Sequence, residues 1–193
     1  MTATSGETTP ATPALGVTPS QTVGPFYGYA LPYDDGPTLV PGWHKGAIRL
    51  HGRVLDGAGD PVPDALLEIW QADADGSIPR RPGGLRRAGH DFSGFGRCGT
   101  DPAGHYWFST VKPGRVGEGA PYIVLLVFAR GLLKPVFTRV YFPEDTADHA
   151  ADPVLGVVPE DRRATLVAER DGEASYRFDV HLQGERETVF FDL

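Results

Sequence analysis

A single cysteine, Cys98, stands among the 193 residues, so no disulfide forms within the chain and cysteine-stapled secreted scaffolds do not apply. Long apolar runs are missing too. The longest, around 120–129, is about half the ~20 residues that a membrane-crossing helix needs. The first residues lack the charged-then-apolar order of a secretory signal, and these absences together predict a soluble, cytoplasmic protein. A basic stripe is also lacking. Lys and Arg number 18 against 25 Asp and Glu, a net charge of −7, which argues against nucleic acid or an anionic membrane as main partner. The one basic cluster, RRPGGLRR at 80–87, reads as a solvated loop or as a place that draws small anions or an acidic partner.

The usual signatures of chemistry are equally scarce. Six histidines (His44, His51, His90, His105, His149, His181) show no HxH, HxxxH or HExxH spacing, so no pair shares a strand or helix face for a metal. No nucleophile elbow, CxxC or phosphate-binding loop occurs, and GFGRCG at 94–99 sits between predicted strands, not at a strand-to-helix turn.

What is present is β punctuation: 25 Gly and 18 Pro, with 40% hydrophobic residues. Residues 1–16, rich in Thr, Pro and Ala, are expected to be a disordered leader, and 17–193 one domain. AIRLHGRVLD at 47–56 alternates and stops at Asp56-Gly57, with ALLEIWQAD at 65–73 as the expected answering strand. GFGRCGT and HYWFSTV flank Asp101-Pro102-Ala103-Gly104 as a second expected hairpin, and YIVLLVFAR at 122–130 with VFTRVYF at 136–142 a third. Residues 152–170 supply one or two short helices, after which SYRFDVHL and ETVFF return to β. About eight strands separated by turns and long loops predict an all-β, two-sheet β-sandwich.

The series TPSQTVGPF (18–26), LLEIWQADADG (66–76), GFGRCGTDPAGHYWF (94–108), TVKPG (110–114), VFARG (127–131), TRVYF (138–142) and YRFDVHLQGERETVFF (176–191) resembles the intradiol ring-cleaving dioxygenases over nearly the whole of 17–193. That resemblance implies Fe(III) held by two tyrosinates and two imidazoles, donors suited to a ferric ion. The corresponding positions here are Ile78, Val116, Tyr122 and Val124. None of them supplies the expected donor, so the strand at 122–130 reads as a former metal strand turned into ordinary core.

Within the family the pattern is similar to the iron-free alpha chain of an enzyme built from alternating alpha and beta chains. The resemblance implies that Fe(III) is bound by a partner beta chain and not by this one, and that Arg130 reaches the partner's site in trans. Thr22, Gly24 and Pro25 would form a wall for a small aromatic acid, with Gly24 permitting close backbone approach and Pro25 stiffening it. The competing expectation is a stand-alone β-sandwich binding or scaffold module that has lost catalysis. A self-sufficient dioxygenase would require ligands that the sequence lacks.

Overall fold

A computed structural model describes residues 24–80 and 91–192; the expected leader, Thr22 and most of the basic cluster lie outside these residues. Among the described residues nine strands form two sheets: β1 (Ala47–Leu55), β2 (Leu66–Trp70), β3 (Phe95–Gly99), β4 (His105–Val111), β5 (Tyr122–Phe128), β6 (Val136–Tyr141), β7 (Glu169–Arg170), β8 (Ser175–Arg177) and β9 (Val180–His181). One sheet runs β4-β1-β8-β7 with β9 also on β1, and the other runs β3-β2-β5-β6. Their facing sides bury Leu50, Val54, Tyr106 and Phe108 against Leu67, Ile69, Ile123, Leu125 and Val127. The all-β sandwich expected from the turns and alternation is the architecture observed.

Two expected pairings are wrong in partner. β1 pairs with β4, and β2 with β3 and β5, so the first two expected hairpins each connect opposite sheets. Their turns form as read: Asp56 Oδ1 accepts from the Ala58 and Asp60 amides, and Asp101 Oδ1 accepts from those of Ala103 and His105, each at 2.9 Å. After the first turn the ladder lasts only to Val62, whose amide donates to the Val54 carbonyl; Pro63 follows with no N–H to offer, and the chain crosses over. The third pair, β5 with β6, is antiparallel as expected.

Gly52 permits a close crossing. A Cβ there would stand 2.0 Å from the Phe178 carbonyl oxygen, which also accepts from the Tyr106 hydroxyl. The chain can therefore pass from β8 to β9 along one strand.

The helical stretch of 152–170 resolves into α3 (Pro153–Val157) and a 3-10 helix (Glu160–Leu166), preceded by α2 (Thr146–Ala151), while α1 (Tyr27–Ala30) is a single turn near the described N-terminal end. Asp152 is buried and caps α3 through the Val154 and Leu155 amides, while its other oxygen accepts from the Ala120 amide. This fixes α3 over the β5–β6 half of the second sheet, where Leu155, Val158 and Leu166 pack on Tyr141. ETVFF forms no strand; Phe191 makes one bridge to Phe137.

At one end of the sandwich Glu144 accepts from the Tyr176 hydroxyl at 2.6 Å and pairs with Lys112 at 2.9 Å and Arg170 at 3.2 Å. Burial would raise its pKa, but the Tyr176 and Lys112 hydrogen bonds outweigh that and bring it down to about 2. A pKa depressed in the folded state contributes stability that is complete above the unfolded value of ~4.3 and is lost as pH falls toward the folded one. The melting temperature of Glu144→Gln should accordingly lie below wild type near neutral pH, with the gap closing between about pH 5 and pH 2; a constant gap would show that the charge is not responsible.

Candidate functional site

The outward side of the second sheet carries the chemistry-bearing positions. On β5, Ile123, Leu125 and Val127 face the core, while Tyr122, Val124, Leu126 and Phe128 alternate onto the other side and are half-buried. The expectation that this strand had become ordinary core thus holds for one face only. Tyr122 and Val124, the positions where the resemblance implies imidazoles, lie on the other.

Beside them on β6 stands Arg139, opposite Val124 in register, with its guanidinium carbon 3.9 Å from the Tyr122 ring centroid. It also donates to the Tyr141 hydroxyl at 3.4 Å; burial raises the pKa of that phenol to about 12, and Arg139 opposes the rise. Ile78 and Val116 sit on adjoining loops at the same end of the sheet. The Gly114 amide donates to the Asp73 carbonyl at 2.8 Å, and Gly76 packs against the Arg115 carbonyl. Ile78 is 60% exposed and Val116 half-buried.

The opposite half of this face is covered by the segment from Gly24 to Val40, and a buried ion pair holds it there. Glu68 on β2 accepts from Arg97 Nε at 2.8 Å and from Nη2, while Arg97 Nη1 donates to the Leu31 carbonyl. The same guanidinium lies 5.6 Å from the Tyr33 ring and 5.4 Å from that of Phe95. Leu39 and Val40 amides then reach the Ser109 carbonyl on β4. The chain is thereby fixed at both ends of its path.

This covering brings Tyr27 onto Phe128, ring centroids 6.0 Å apart, next to the β5–β6 turn. The Leu132 amide donates to the Ala129 carbonyl at 3.2 Å, and Gly131 takes φ 91° at the third position, where positive φ favours glycine. Arg130 projects from the turn and pairs with Asp64, the residue preceding Ala65 at the entry to β2. Its charge thus has a counterion within the chain. Burial raises the Tyr27 phenol pKa, Asp64 adds to the rise and Arg130 opposes it, which places all three within electrostatic reach. Gly24 opens a short 3-10 turn (Gly24–Phe26) ahead of Tyr27, with φ 64° and nothing within 4 Å of a Cβ built on it. Phe26 and Tyr29 lie beside it, 68% and 91% exposed.

A family model described as Dioxygenase matches residues 23–121. The protocatechuate 3,4-dioxygenase alpha chain of Burkholderia cepacia is 46% identical, over 91% of this chain and 97% of its own length. The chain belongs to the intradiol ring-cleavage dioxygenase family. The beta chain from the same organism is also similar, at 34% identity over 73% of this chain and 66% of its own. The dioxygenase domain of a carbohydrate-binding fusion from Streptomyces sp. SirexAA-E shares the fold, with a TM-score of 0.56 and 24% identity over 86% of this chain and 98% of that one.

Intradiol dioxygenases are iron-dependent, and the donor chemistry here does not fit that metal. At the four positions that the resemblance assigns to iron ligands, three side chains are aliphatic, and the fourth, Tyr122, lies under a guanidinium. Among the described residues no group of three or more His, Cys, Asp or Glu could hold a metal. Nor is any described helix long and apolar enough to cross a membrane.

Asp64 lies outside the stretches that carry the family resemblance, while Glu68, Arg97 and Arg139 lie within them but match no metal-binding or catalytic signature. For Glu68 a signal did exist: a carboxylate inside the apolar run LLEIW requires a buried partner, and Arg97 interrupts GFGRCG in the same manner. With side chains 12% and 11% exposed, Arg97 and Glu68 form a pair whose disruption strands a buried charge. Arg97→Leu should cost about 3–5 kcal/mol in chemical denaturation and accelerate amide exchange across 24–33. Unchanged exchange there would show that the segment is held by other contacts.

Proposed function

We propose that this chain is the non-iron-binding alpha subunit of a protocatechuate 3,4-dioxygenase, completing the substrate pocket of an iron-bearing beta chain. The observation that carries this reading is the loss of donors at Ile78, Val116, Tyr122 and Val124 in a chain 46% identical to an alpha chain. The reaction is O2-dependent cleavage of the ring bond between the two hydroxylated carbons of protocatechuate, giving 3-carboxy-cis,cis-muconate in aromatic catabolism, in the cytoplasm. Fe(III) belongs to the beta chain. This chain contributes binding and orientation: Thr22, Gly24 and Pro25 as pocket wall, and Arg130 as the charge that meets the substrate carboxylate in trans.

Two features support the heteromer. A similar beta chain exists as a separate protein, and the aromatic surface of Phe26 and Tyr29 is left exposed next to the Arg130 turn. An exposed apolar patch beside a charged rim suits a protein interface.

Purified alone, the chain should bind no stoichiometric iron and show no tyrosinate-to-iron charge-transfer band. One equivalent of ferric iron in the isolated chain would refute the assignment. Co-expression with the beta chain should yield a complex that contains iron and takes up oxygen with protocatechuate. If no complex forms, the stand-alone binding module is the better reading.

Arg130 distinguishes substrates. A charge-assisted hydrogen bond contributes roughly 1.5–3 kcal/mol and an exposed pair ~0.5, and Arg130, exposed in this chain but facing the pocket in the complex, should fall between those limits. In the complex, Arg130→Ala should lower kcat/KM for protocatechuate by roughly three- to a hundred-fold, with assembly and iron unchanged. Catechol, which lacks the carboxylate, should lose much less; equal losses would assign Arg130 to pocket shape.

A further inference from the structure

Arg130 does not stand free, and the manner in which it is held limits what it can bind. Asp64 Oδ2 accepts from both Nε, at 2.8 Å, and Nη2. A guanidinium has two edges able to grip a carboxylate, the Nε/Nη side and the Nη/Nη end. Asp64 occupies the first. Nη1 has no hydrogen-bond partner among the described residues, and the side chain is 69% exposed, so the end-on edge faces outward.

We propose that Asp64 is a positioning residue: by holding the Nε/Nη2 edge it aims the Nη1/Nη2 edge of Arg130 at the carboxylate of the aromatic acid. The inference rests on the reading of Arg130 as a substrate contact. An exposed arginine samples many rotamers, and one fixed in advance spares the ligand that ordering cost. The backbone beneath is already fixed by buried Ala129, by the turn through Gly131 and by Tyr27 packed on Phe128.

Asp64 also neutralises Arg130 at long range. The pair therefore draws anions weakly from a distance and recognises a carboxylate by close geometry, so selectivity should depend little on salt.

The test uses the reconstituted alpha–beta complex with protocatechuate and catechol as paired substrates. Asp64→Asn should lower kcat/KM for protocatechuate by about three- to tenfold and leave catechol within about twofold, while Asp64→Glu recovers part of the loss. In an Arg130→Ala background Asp64→Asn should add nothing, since its effect runs through the arginine. Melting temperature and iron content of each complex exclude a folding defect as the cause. Unchanged or faster protocatechuate turnover in Asp64→Asn, with Arg130→Ala still impaired, would overturn the proposal and make Asp64 a mere competitor for the guanidinium. A further loss of similar size for both substrates in the Arg130→Ala background would overturn it in favour of a structural role. If Arg130→Ala itself leaves protocatechuate turnover untouched, the substrate-contact reading fails and the positioning role falls with it.

Discussion

The buried pair of Glu68 and Arg97 is the contact on which the arrangement of this face depends. A sheet packed on one side against its partner would ordinarily leave its other side to water, yet here the aromatic segment from Gly24 to Val40 lies across it. That segment has no strand or long helix with which to hold itself in place. Backbone bonds to Arg97 and Ser109 hold its Gly36–Val40 part, and the guanidinium attaches the stretch before it: two contacts to Glu68, one to the Leu31 carbonyl, and the rings of Tyr33 and Phe95 within 6 Å. Once the segment is attached, Tyr27 must fall on Phe128, and the Arg130 turn acquires a neighbour. A polar interaction in the middle of β2 and β3 thus sets the geometry of a surface at the end of β5.

This dependence explains which features were legible in the sequence. Alternation along β1 and β5, and the Asx turns at Asp56 and Asp101, are local, and the chain obeys them. Partner choice is not local. The same tight turn serves a hairpin within one sheet or a corner between two, and only the short ladder ending at Pro63 reveals that β1 and β2 part company. The sandwich could therefore be read from strand number and turn spacing, while two of its three expected pairings could not.

The site divides in the same way. The lack of a donor at Ile78, Val116 and Val124, positions that the resemblance assigns to iron ligands, is a matter of residue identity and needs no coordinates. That Tyr122 and Val124 point away from the core depends on which face of β5 the other sheet covers, a tertiary fact. The counterion of Arg130 lies 66 residues earlier, and no spacing rule joins them. Asp64 precedes a strand after a proline, where a carboxylate reads as ordinary turn chemistry.

Arg139 supplies the last step. Of the four positions that the resemblance assigns to iron ligands, Tyr122 alone offers an oxygen, on a half-buried phenol. A guanidinium 3.9 Å from that ring changes the electrostatics of the whole face. Two like unit charges about 4 Å apart repel by ~4 kcal/mol at an effective dielectric near 20, and a multiply charged cation is repelled in proportion. The arginine also donates to Tyr141, whose hydroxyl bonds to Asp152, so the cation is tied to the cap that seats α3 over the sheet. Arg130, at the β5–β6 turn of the same sheet, is exposed and held by its own carboxylate, Asp64. Of these two cations, the half-buried Arg139 is engaged within the fold, and the exposed Arg130 stays accessible at its rim.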